Sequence, residues 1–430
     1  MTGNEIVILS FAVMMVMLFL KVPVFISVFS GSIIYFALNP NVNAAIFAQK
    51  AIGGVESIPL LAVPFFICAS AVMNYSGVTD RIYTFAGVLA GRMNGGLAQV
   101  NVLVSTLMGG LSGSALADAA MDAKMLVPQM EKQGYSKAFS SVVSSASAII
   151  TPLIPPGIGL IIYGCVTNLS IGKLFVAGFG PGFLLCALMM ILVSWISKRR
   201  GYLPIRTQPL TRHEFAAAAK PAVLPLCLPL IIIGGVRIGL FTATESGAVA
   251  IAYAALLGLL YKQLKPKHFW LSLKETAIAT STILVIVAAA SVFSWFLTSE
   301  MIPQSLATWM IGTIHNKWVF LVAVDILLVI VGMFVEGNAS MIVLAPLFAP
   351  VAAAYGINDI HFAMVFIFGN AIGALTPPMG TLMFIVCGIT KCKTRDFIKE
   401  AIPFYGLVFI ALALLTCFPI LSTGLVDLIY

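Results

Sequence analysis

Two segments place prolines, glycines and threonines inside runs that are otherwise as apolar as a membrane span. They read TPLIPPGIGLIIYGC at 151–165 and ALTPPMGTLMFIVCG at 374–388. Proline removes a backbone donor, and an unpaired backbone group inside a bilayer costs several kcal/mol. An ion or a substrate can satisfy the carbonyl groups that such a break exposes. We therefore predict Na⁺ ligands at these breaks, among Thr151, Pro155, Thr376 and Pro377.

A second pair of breaks combines glycine and serine with acidic residues. The segments are LVSTLMGGLSGSALADAAMDAKM at 103–125 and VIVGMFVEGNASMIVLAP at 329–346. Ser114 is placed to cap a new helix, whose positive N-terminus would face an anion while freed carbonyls hold Na⁺. Small residues can instead serve only close helix packing. The predicted Na⁺ ligands in these segments are Gly110, Ser112, Ser114, Gly332, Glu336 and Gly337.

Carboxylates within apolar segments are costly and are functional by default. Glu336, beside a break at mid-membrane depth, is the strongest single candidate for a functional residue, either as an ion ligand or as a titratable group. Asp118 and Asp122 would share one helix face, where Lys124 and the helix N-terminus could also neutralise them. The predicted substrate contacts are Ser114, Asp118, Pro156, Gly157, Glu336, Asn338 and Pro378.

The sequence offers little support for an enzyme. Its four histidines are scattered without an HExxH pattern, and its seven cysteines lie mostly in apolar segments without CxxC spacing. An intramembrane enzyme would need a nucleophile–base pair or a metal cluster inside the spans, and Ser114 has no histidine in its own motif. We predict no enzymatic activity and no cofactor, with Na⁺ as a coupling ion only.

The elements that would position these residues are membrane helices. Of 430 residues, 60% are hydrophobic and 9% are charged, whereas soluble domains carry about a quarter charged residues. The first apolar run lacks the basic cluster of a cleaved signal peptide, so we interpret it as a first span. The net charge of +8 sits in short loops, which favours topology signals over nucleic-acid binding. We predict an all-α, polytopic helical membrane protein.

The two halves of the chain repeat each other. A shift of 222 residues relates Pro128 to Pro350 and Cys165 to Cys387, with other prolines and glycines in the same register. Internal duplication is typical of secondary transporters. The first copy is predicted at 1–196 and the second at 221–430, joined by a basic linker at 197–220.

Charge predicts how the two copies are oriented. The linker is strongly basic and is therefore placed in the cytoplasm, as are loops 130–137, 261–268 and 391–395. The repeat partner of loop 130–137 is AAAYGIND at 352–359, which has no basic residue and falls outside. The copies are thus predicted to be inverted, with the N- and C-termini in the periplasm. This count leaves Arg81 and Arg92 on the outer side, on an interfacial helix.

Each copy is predicted to contain the same three parts. Scaffold spans occupy 4–38 and 221–262, re-entrant helical hairpins 44–77 and 272–300, and broken helices 97–165 and 317–388. The first hairpin would turn at SIPLLAVP and the second around 288–294. Irregular backbone at membrane depth needs protein or a wet cavity around it. A single kinked span is the alternative for each hairpin.

The motifs together resemble one transporter family. LSGSALADAA at 111–120, ITPLIPPGIGLIIYG at 150–164, GMFVEGNASMIVLAPLFAP at 332–350 and ALTPPMG at 374–380 are similar to the large membrane subunit of a tripartite ATP-independent periplasmic (TRAP) transporter. The resemblance covers essentially the whole chain. This chain has Gly157 where many members place a serine, and Glu336 where many place an aspartate. Both positions bear on substrate contacts.

That resemblance carries several implications. It implies an elevator-type transporter in the bacterial inner membrane, driven by a Na⁺ gradient and not by ATP, and no GxxxxGK[ST] loop occurs here. It also implies a small four-helix membrane subunit and a periplasmic binding protein as partners. The implied substrates are organic anions, namely dicarboxylates, keto acids or acid sugars such as sialic acid. The ion and substrate region would fall at 110–114, 151–157, 332–338 and 376–379.

Two other classes of transport protein share many of these features. A stand-alone ion-coupled carrier of dicarboxylates or citrate would have the same inverted repeats, but it would need no binding protein. A channel is also compatible with the composition, although matched inverted breaks suit alternating access better than an open pore.

Overall fold

The computed structural model describes residues 3–20 and 22–430, and all regular secondary structure in these residues is helical. The helices of the first half are α1 Gly3–Phe19, α2 Val24–Leu38, α3 Ala45–Val55, α4 Ala62–Tyr75, α5 Val78–Ala90, α6 Gly96–Ser112, α7 Ala115–Met125, α8 Val127–Lys132, α9 Lys137–Ser147, α10 Ile158–Thr167 and α11 Ile171–Arg200. Those of the second half are α12 Arg212–Arg237, α13 Ala243–Leu260, α14 Pro266–Ser299, α15 Ile302–Thr313, α16 Lys317–Phe334, α17 Gly337–Ala354, α18 Asp359–Leu375, α19 Thr381–Thr390, α20 Thr394–Cys417 and α21 Ile420–Ile429. Short 3₁₀ turns at Ile58–Leu61 and Ala148–Ile150 precede α4 and follow α9.

Eight helical segments of the described residues are long and apolar enough to cross a bilayer, judged by length and composition. A span needs about 20 residues because a helix rises about 1.5 Å per residue. Shorter apolar helices of 10–17 residues accompany them. Several of these shorter helices end where the sequence has its proline or glycine breaks. The prediction of an all-α, polytopic membrane protein is confirmed.

The basic loops gather at one end of the molecule, called here the basic end. The rings of Tyr135 and Tyr202 lie 4.3 Å apart, which joins loop 130–137 to the linker. Arg200 pairs with Glu400 at 2.5 Å, and the Tyr261 hydroxyl donates to the Pro221 carbonyl at 3.0 Å. These contacts add α20 and loop 261–268 to the same end. The linker is shorter than predicted: α11 continues to its last basic residues and α12 begins early, so only 201–211 is non-helical.

The basic end also includes Arg81 and Arg92, contrary to the prediction. The Arg81 guanidinium lies 3.5 Å from the centroid of the Tyr261 ring. At the other end of α5, the Arg206 amide donates to the Gly91 carbonyl at 2.9 Å, one residue before Arg92. Both ends of α5 are therefore at the basic end, and the helix lies across it. The predicted number of membrane crossings was wrong here, because residues 44–77 were treated as a hairpin that returns to its starting side.

Neither predicted hairpin at 44–77 or 272–300 exists, and the kinked-span alternative describes the first of them. α14 is one continuous helix of 34 residues with no turn around 288–294. α3 and α4 follow each other along it in one direction. Gly54 packs against Ser291, and the Tyr75 hydroxyl donates to Glu275 at 2.7 Å. The prolines near 59 produce a kink with a 3₁₀ turn, not a reversal.

The chain reverses instead at the glycine–serine breaks. Ser105 on α6 donates to Asp122 on α7 at 3.0 Å, across the tip at Gly113–Ser114. We call α6–α7 hairpin 1. In the second copy, the Tyr355 hydroxyl after α17 donates to the Ile314 carbonyl before α16 at 2.9 Å. The two ends of α16–α17 therefore meet, and this pair is hairpin 2, with its tip at 335–336.

Each hairpin is followed by a broken helix. Residues 151–157 (break 1) separate the 3₁₀ turn after α9 from α10, and residues 376–380 (break 2) separate α18 from α19. Both paired prolines contain a cis peptide bond. α10 packs on α17 and α19 packs on α7, so each copy places its second half-helix against the hairpin of the other copy. The starts of α7 and α17 differ by 222 residues, whereas those of α10 and α19 differ by 223. Break 2 therefore has a one-residue insertion, and the predicted match of Cys165 to Cys387 is shifted by one residue.

The described helices form two groups joined by two lying helices. The frame consists of α1–α4 and α12–α14, and the inner unit of α6–α11 and α16–α21. α5 crosses the basic end between them, and α15 crosses the opposite end. Ile6 lies beside Glu300, just after the far end of α14, and Lys173 at the start of α11 lies near the Tyr430 ring. Ile6 in α1 and the C-terminal Tyr430 are therefore opposite the basic end.

Candidate functional site

Both hairpin tips, break 1 and the start of the helix after break 2 converge on one cavity in the inner unit. The cavity has a volume of about 120 Å³. Its wall is built by the two tips, by the first turns of α10 and α19, and by one face of α18. The lining residues are Gly113, Ser114, Ala115, Leu116, Pro152, Ile158, Gly159, Glu336, Gly337, Asn338, Met341, Ile367, Asn370, Ala371, Ala374, Thr381 and Leu382.

Four helices of the inner unit begin at this cavity. They are α7, α10, α17 and α19, and the first residues of each line the wall. Unpaired amide groups and the helix dipole give each N-terminus a partial positive charge. Among the residues that the structure describes, no lysine or arginine lines the cavity. The partial positive charges at this cavity therefore come from backbone groups, and they lie beside the carboxylate of Glu336.

The two hairpin tips are capped at matched positions with different chemistry. The Ser114 hydroxyl accepts from the Ala117 amide at 3.4 Å. Glu336, at the equivalent position, accepts from the Ala339 amide through its carboxylate at 3.1 Å. The second tip thus carries a half-buried carboxyl group where the first carries a hydroxyl. A cation bound at this tip would gain a direct carboxylate ligand.

Hairpin 1 and break 1 fit closely through glycine. Gly113 has a left-handed backbone with φ of 61°, and its carbonyl accepts from the Ile158 amide at 3.3 Å. A Cβ atom at Gly113 would lie 2.7 Å from the Pro156 carbonyl oxygen. Only glycine fits both the torsion and the space. The tip of α6–α7 is therefore held against the N-terminus of α10.

A polar cluster with two fully buried carboxyl groups lies beside the cavity in the first copy. The Thr151 hydroxyl donates to Asp118 at 2.9 Å, and the Ser105 hydroxyl donates to Asp122 at 3.0 Å. Tyr83 on α5 donates to the other oxygen of Asp122. Asp118 is only 1% exposed, and its Oδ1 atom has no hydrogen-bond partner among the described residues. A buried carboxylate oxygen of this kind requires a proton, a cation or a hydrogen-bond donor.

The same cluster extends along α9 through residues that the sequence analysis missed. Ser147 donates to Asn101 at 3.0 Å, and Asn101 donates to Ser144 at 2.6 Å. The signal was present in KAFSSVVSSAS at 137–147, where serines recur on one helical face. These hydrogen bonds join α6 to α9, and they fix the position of Thr151, just after α9, relative to α7.

Asn370 is the central polar residue of the second copy, and it was also missed. Its amide donates to the Gly337 carbonyl at 2.7 Å, and its side-chain oxygen accepts from Ser340 at 2.7 Å. α16 approaches it closely, since a Cβ atom at Gly332 would lie 2.6 Å from the Asn370 carbonyl. A lone asparagine within the apolar run FIFGNAIGAL could have identified it. Asn370 ties hairpin 2 to α18 at the cavity wall.

The structure brings together only some of the predicted site residues. Those that line the cavity are Ser114, Glu336, Gly337 and Asn338. Those buried outside its lining in hairpin 1 and break 1 are Gly110, Ser112, Asp118, Thr151, Pro155, Pro156 and Gly157. Gly332 packs on α18.

Three predicted residues of break 2 do not reach the cavity wall. They are Thr376, Pro377 and Pro378. The Thr376 hydroxyl donates to the Ile372 carbonyl at 2.8 Å within its own helix, and Pro378 is exposed. The next turn of the chain takes their place, because Thr381 and Leu382 at the start of α19 line the wall.

Inverted helical hairpins and broken helices around a central cavity define the class as a secondary transporter. Residues 11–421 match the family model of the tripartite ATP-independent periplasmic transporter, DctM component. The chain belongs to this family of TRAP transporter large permeases, as its motifs indicated.

Curated relatives cover nearly the whole chain. The sialic acid TRAP transporter large permease SiaM of Vibrio cholerae is 38% identical over 404 residues, covering 94% of each chain. The C4-dicarboxylate TRAP transporter large permease DctM of Pseudomonas aeruginosa is 34% identical over 397 residues, covering 92% of each. Both relatives are transporter permeases and not enzymes.

A solved structure shares the fold. The crystal structure of the Alcanivorax borkumensis YdaH transporter superposes with a TM-score of 0.65, covering 96% of this chain and 98% of that one. The sequence identity is 13%, so the likeness concerns the fold alone. The YdaH transporter thus has a similar helical fold although its sequence has little in common with this chain.

Proposed function

We propose that this chain is the large permease of a Na⁺-driven TRAP transporter that imports an organic anion. The observation that carries the proposal is the central cavity, where four helix N-termini meet without a lysine or arginine among the described lining residues. Backbone dipoles attract an anion but hold it less firmly than a guanidinium would. Such a site suits a substrate that must be released after each crossing.

Sodium ions supply the remaining positive charge in this proposal. The first ion site lies between hairpin 1 and break 1, where Ser112 and Asp118 have buried oxygens without partners among the described residues. The second lies at the tip of hairpin 2, with Glu336, Gly337 and Asn338 beside the cavity. A cation at Glu336 would offset its carboxylate and bridge to the anionic substrate. Substrate and Na⁺ binding would then depend on each other.

The substrate is an acid sugar such as sialic acid, or a dicarboxylate or keto acid. The relatives named for sialic acid and C4-dicarboxylate support these classes. Hydroxyl and amide groups at Ser114, Asn338 and Thr381 offer hydrogen bonds to either class. Competition of unlabelled sialic acid, succinate and a 2-keto acid for uptake would identify the class.

Transport proceeds by an elevator movement in which the inner unit carries the cavity along the frame. Two features support this. α5 and α15 join the two groups of helices at opposite ends, and part of the contact between the groups is apolar, where Met14, Leu18 and Val343 line a gap of about 70 Å³. Apolar surfaces can slide without breaking hydrogen bonds.

The basic end faces the cytoplasm of a bacterial inner membrane, and both termini face the periplasm. The gathering of basic loops supports this orientation. Membrane-impermeant thiol labelling of intact cells tests it. A cysteine replacing Thr207 in the linker should stay unlabelled, whereas one replacing Asn41 between α2 and α3 should react. The reverse pattern would overturn the orientation.

The partners are a small four-helix membrane subunit and a periplasmic substrate-binding protein. The tripartite description of the family supports both. The deciding experiment is uptake into proteoliposomes that contain this chain with the small subunit. Uptake should require an inward Na⁺ gradient and the loaded binding protein. Uptake without binding protein would favour the stand-alone carrier, and uptake indifferent to both would refute the proposal.

A further inference from the structure

A second, larger cavity lies between the frame and the inner unit, and we call it the outer vestibule. Its volume is about 350 Å³. The frame contributes α3 and α14 to its wall, and the inner unit contributes the end of α10 and the middle of α17. The polar groups in the wall are Lys50, Ser57, Ser291, Ser294 and Thr298.

The vestibule lies next to the central cavity on the side away from the basic end. α10 and α17 begin at the central cavity and run toward that side. Met341 lines the central cavity, and the following residue, Ile342, lines the vestibule. Thr298 is one residue from the far end of α14. An anion that approaches from this side would therefore reach the vestibule first.

Lys50 dominates the electrostatics of the vestibule. It is the only charged side chain among the described residues that line it, and it forms no ion pair with any described residue. Four hydroxyl groups accompany it. A single cation in a cleft with low-dielectric walls concentrates anions and raises their association rate.

The position of Lys50 is fixed by the packing of its helix. α3 lies so close to α14 that a side chain at Gly54 would collide with Ser291. Ser291 itself lines the vestibule. The helix that carries the lysine is thus seated on the opposite wall of the same cleft, and its ammonium group remains exposed.

We propose that the outer vestibule is an anion subsite, in which Lys50 receives the substrate carboxylate before the central cavity binds it. This inference rests on the proposed function. Lys50 acts as a positioning residue on the frame, so it stays in place while the inner unit moves. Its role is to raise the local substrate concentration, not to form the final complex.

Initial uptake rates in proteoliposomes test this role, with small subunit, binding protein and Na⁺ gradient present. Lys50→Gln should raise the apparent KM about three- to tenfold, with kcat unchanged, because only the encounter is weakened. Lys50→Arg should behave as the wild type. Lys173→Gln is the matched control, since this exposed lysine lies on the same side outside the vestibule. It should leave KM unchanged.

Ionic strength separates attraction from a structural effect. Choline chloride added at constant Na⁺ should raise the wild-type KM toward that of Lys50→Gln, because salt screens exposed charges over about 10 Å at 0.1 M. The KM of Lys50→Gln should change less. Equal KM values and equal salt dependence in wild type and Lys50→Gln would overturn the inference. Failure of wild-type uptake to need Na⁺ would instead refute the proposed function.

Two further measurements keep the test decisive. Lys50→Cys should regain a low KM after reaction with a positively charged aminoethyl thiosulfonate but not with a negatively charged sulfonatoethyl reagent. The parent chain, treated in parallel, controls for native cysteines.

Vesicles of neutral phosphatidylcholine and vesicles with added phosphatidylglycerol distinguish a substrate carboxylate from a lipid phosphate as the anion at Lys50. A Lys50 effect seen only with phosphatidylglycerol would assign the site to lipid headgroups and overturn the substrate subsite.

Discussion

At the residue scale, the two hairpin tips show how a repeated backbone position acquires different chemistry. Ser114 and Glu336 both cap a helix at the cavity, through a hydroxyl and a carboxylate respectively. The cap is a local requirement that either side chain meets. Capping does not need the charge of Glu336. We therefore propose that this carboxylate binds a coupling ion.

Replacing Glu336 by Gln should separate these two roles. The amide oxygen of Gln can still accept from the Ala339 amide, so the helix start is preserved. Without the charge, the Na⁺ concentration for half-maximal uptake should rise at least about tenfold, which corresponds to about 1.4 kcal/mol. Ser114→Ala is the comparison, because it removes a cap and a hydroxyl of the cavity wall without removing a charge. Unchanged Na⁺ activation in Glu336→Gln would exclude the carboxylate as an ion ligand.

The two threonines of the breaks should respond differently to replacement by valine. Thr151→Val removes the hydroxyl that donates to buried Asp118, which costs about 1–3 kcal/mol. We expect a lower Tm and weaker Na⁺ activation. Thr376→Val loses only a bond within its own helix and should behave as the wild type. Equal effects of both substitutions on Na⁺ activation would contradict this assignment.

At the element scale, the tip at Gly113–Ser114 converts a broken helix into hairpin 1. A gap in a helix can either continue or reverse the chain, and the sequence alone does not distinguish these outcomes. The left-handed torsion of Gly113 and its contact with break 1 produce the reversal. The proline-rich breaks keep their direction because the flanking half-helices pack against different neighbours.

Gly113→Ala should prevent this tip from closing. The added methyl would need a left-handed torsion and would lie 2.7 Å from a backbone oxygen of Pro156. We expect loss of uptake and a marked fall in Tm. Gly134→Ala shares the left-handed torsion, with φ of 86°, but has nothing within 4 Å of the added methyl. It should cost about 1–2 kcal/mol and retain uptake. Similar losses in both variants would show that the left-handed torsion, and not the contact with Pro156, causes the effect.

At the scale of the whole molecule, frame and inner unit must move relative to each other for the proposed mechanism to work. α11 of the inner unit packs on α12 of the frame away from the basic end. A Cβ atom at Gly172 would lie 3.0 Å from a methyl group of Val236. This close contact offers a place to connect the two groups covalently.

A disulfide at this contact should stop transport. In a background without native cysteines, oxidation of the Gly172→Cys, Val236→Cys pair should abolish uptake, and a reductant should restore it. The pair Gly258→Cys, Leu264→Cys provides the control, since both positions lie in the frame, where a Cβ atom at Gly258 would be 2.7 Å from the Leu264 Cβ. Its oxidation should leave uptake intact. Full uptake with the first bridge closed would argue against movement at this interface.

The sequence identified much of the site but not how its parts meet. Ser114 and Glu336 could be predicted because polar residues beside helix breaks are unusual in an apolar chain. Asn370 and the serines of α9 were missed because small or isolated polar residues in a helix are equally compatible with a packing role. Thr376 does not line the cavity. Its hydroxyl donates within its own helix, which only the tertiary structure reveals.

What the amino-acid sequence determined by itself is the class of protein: helical, membrane-spanning, duplicated and broken at matched prolines and glycines. These properties follow from hydropathy, from the backbone limits of proline and glycine, and from the charge of loops, all of which act locally. Only the tertiary structure decided that 44–77 is kinked, that the chain reverses at the glycine–serine tips, and that α10 and α19 pack on the hairpins of opposite copies. Those outcomes depend on which distant helix offers a complementary surface, and no local pattern contains that information.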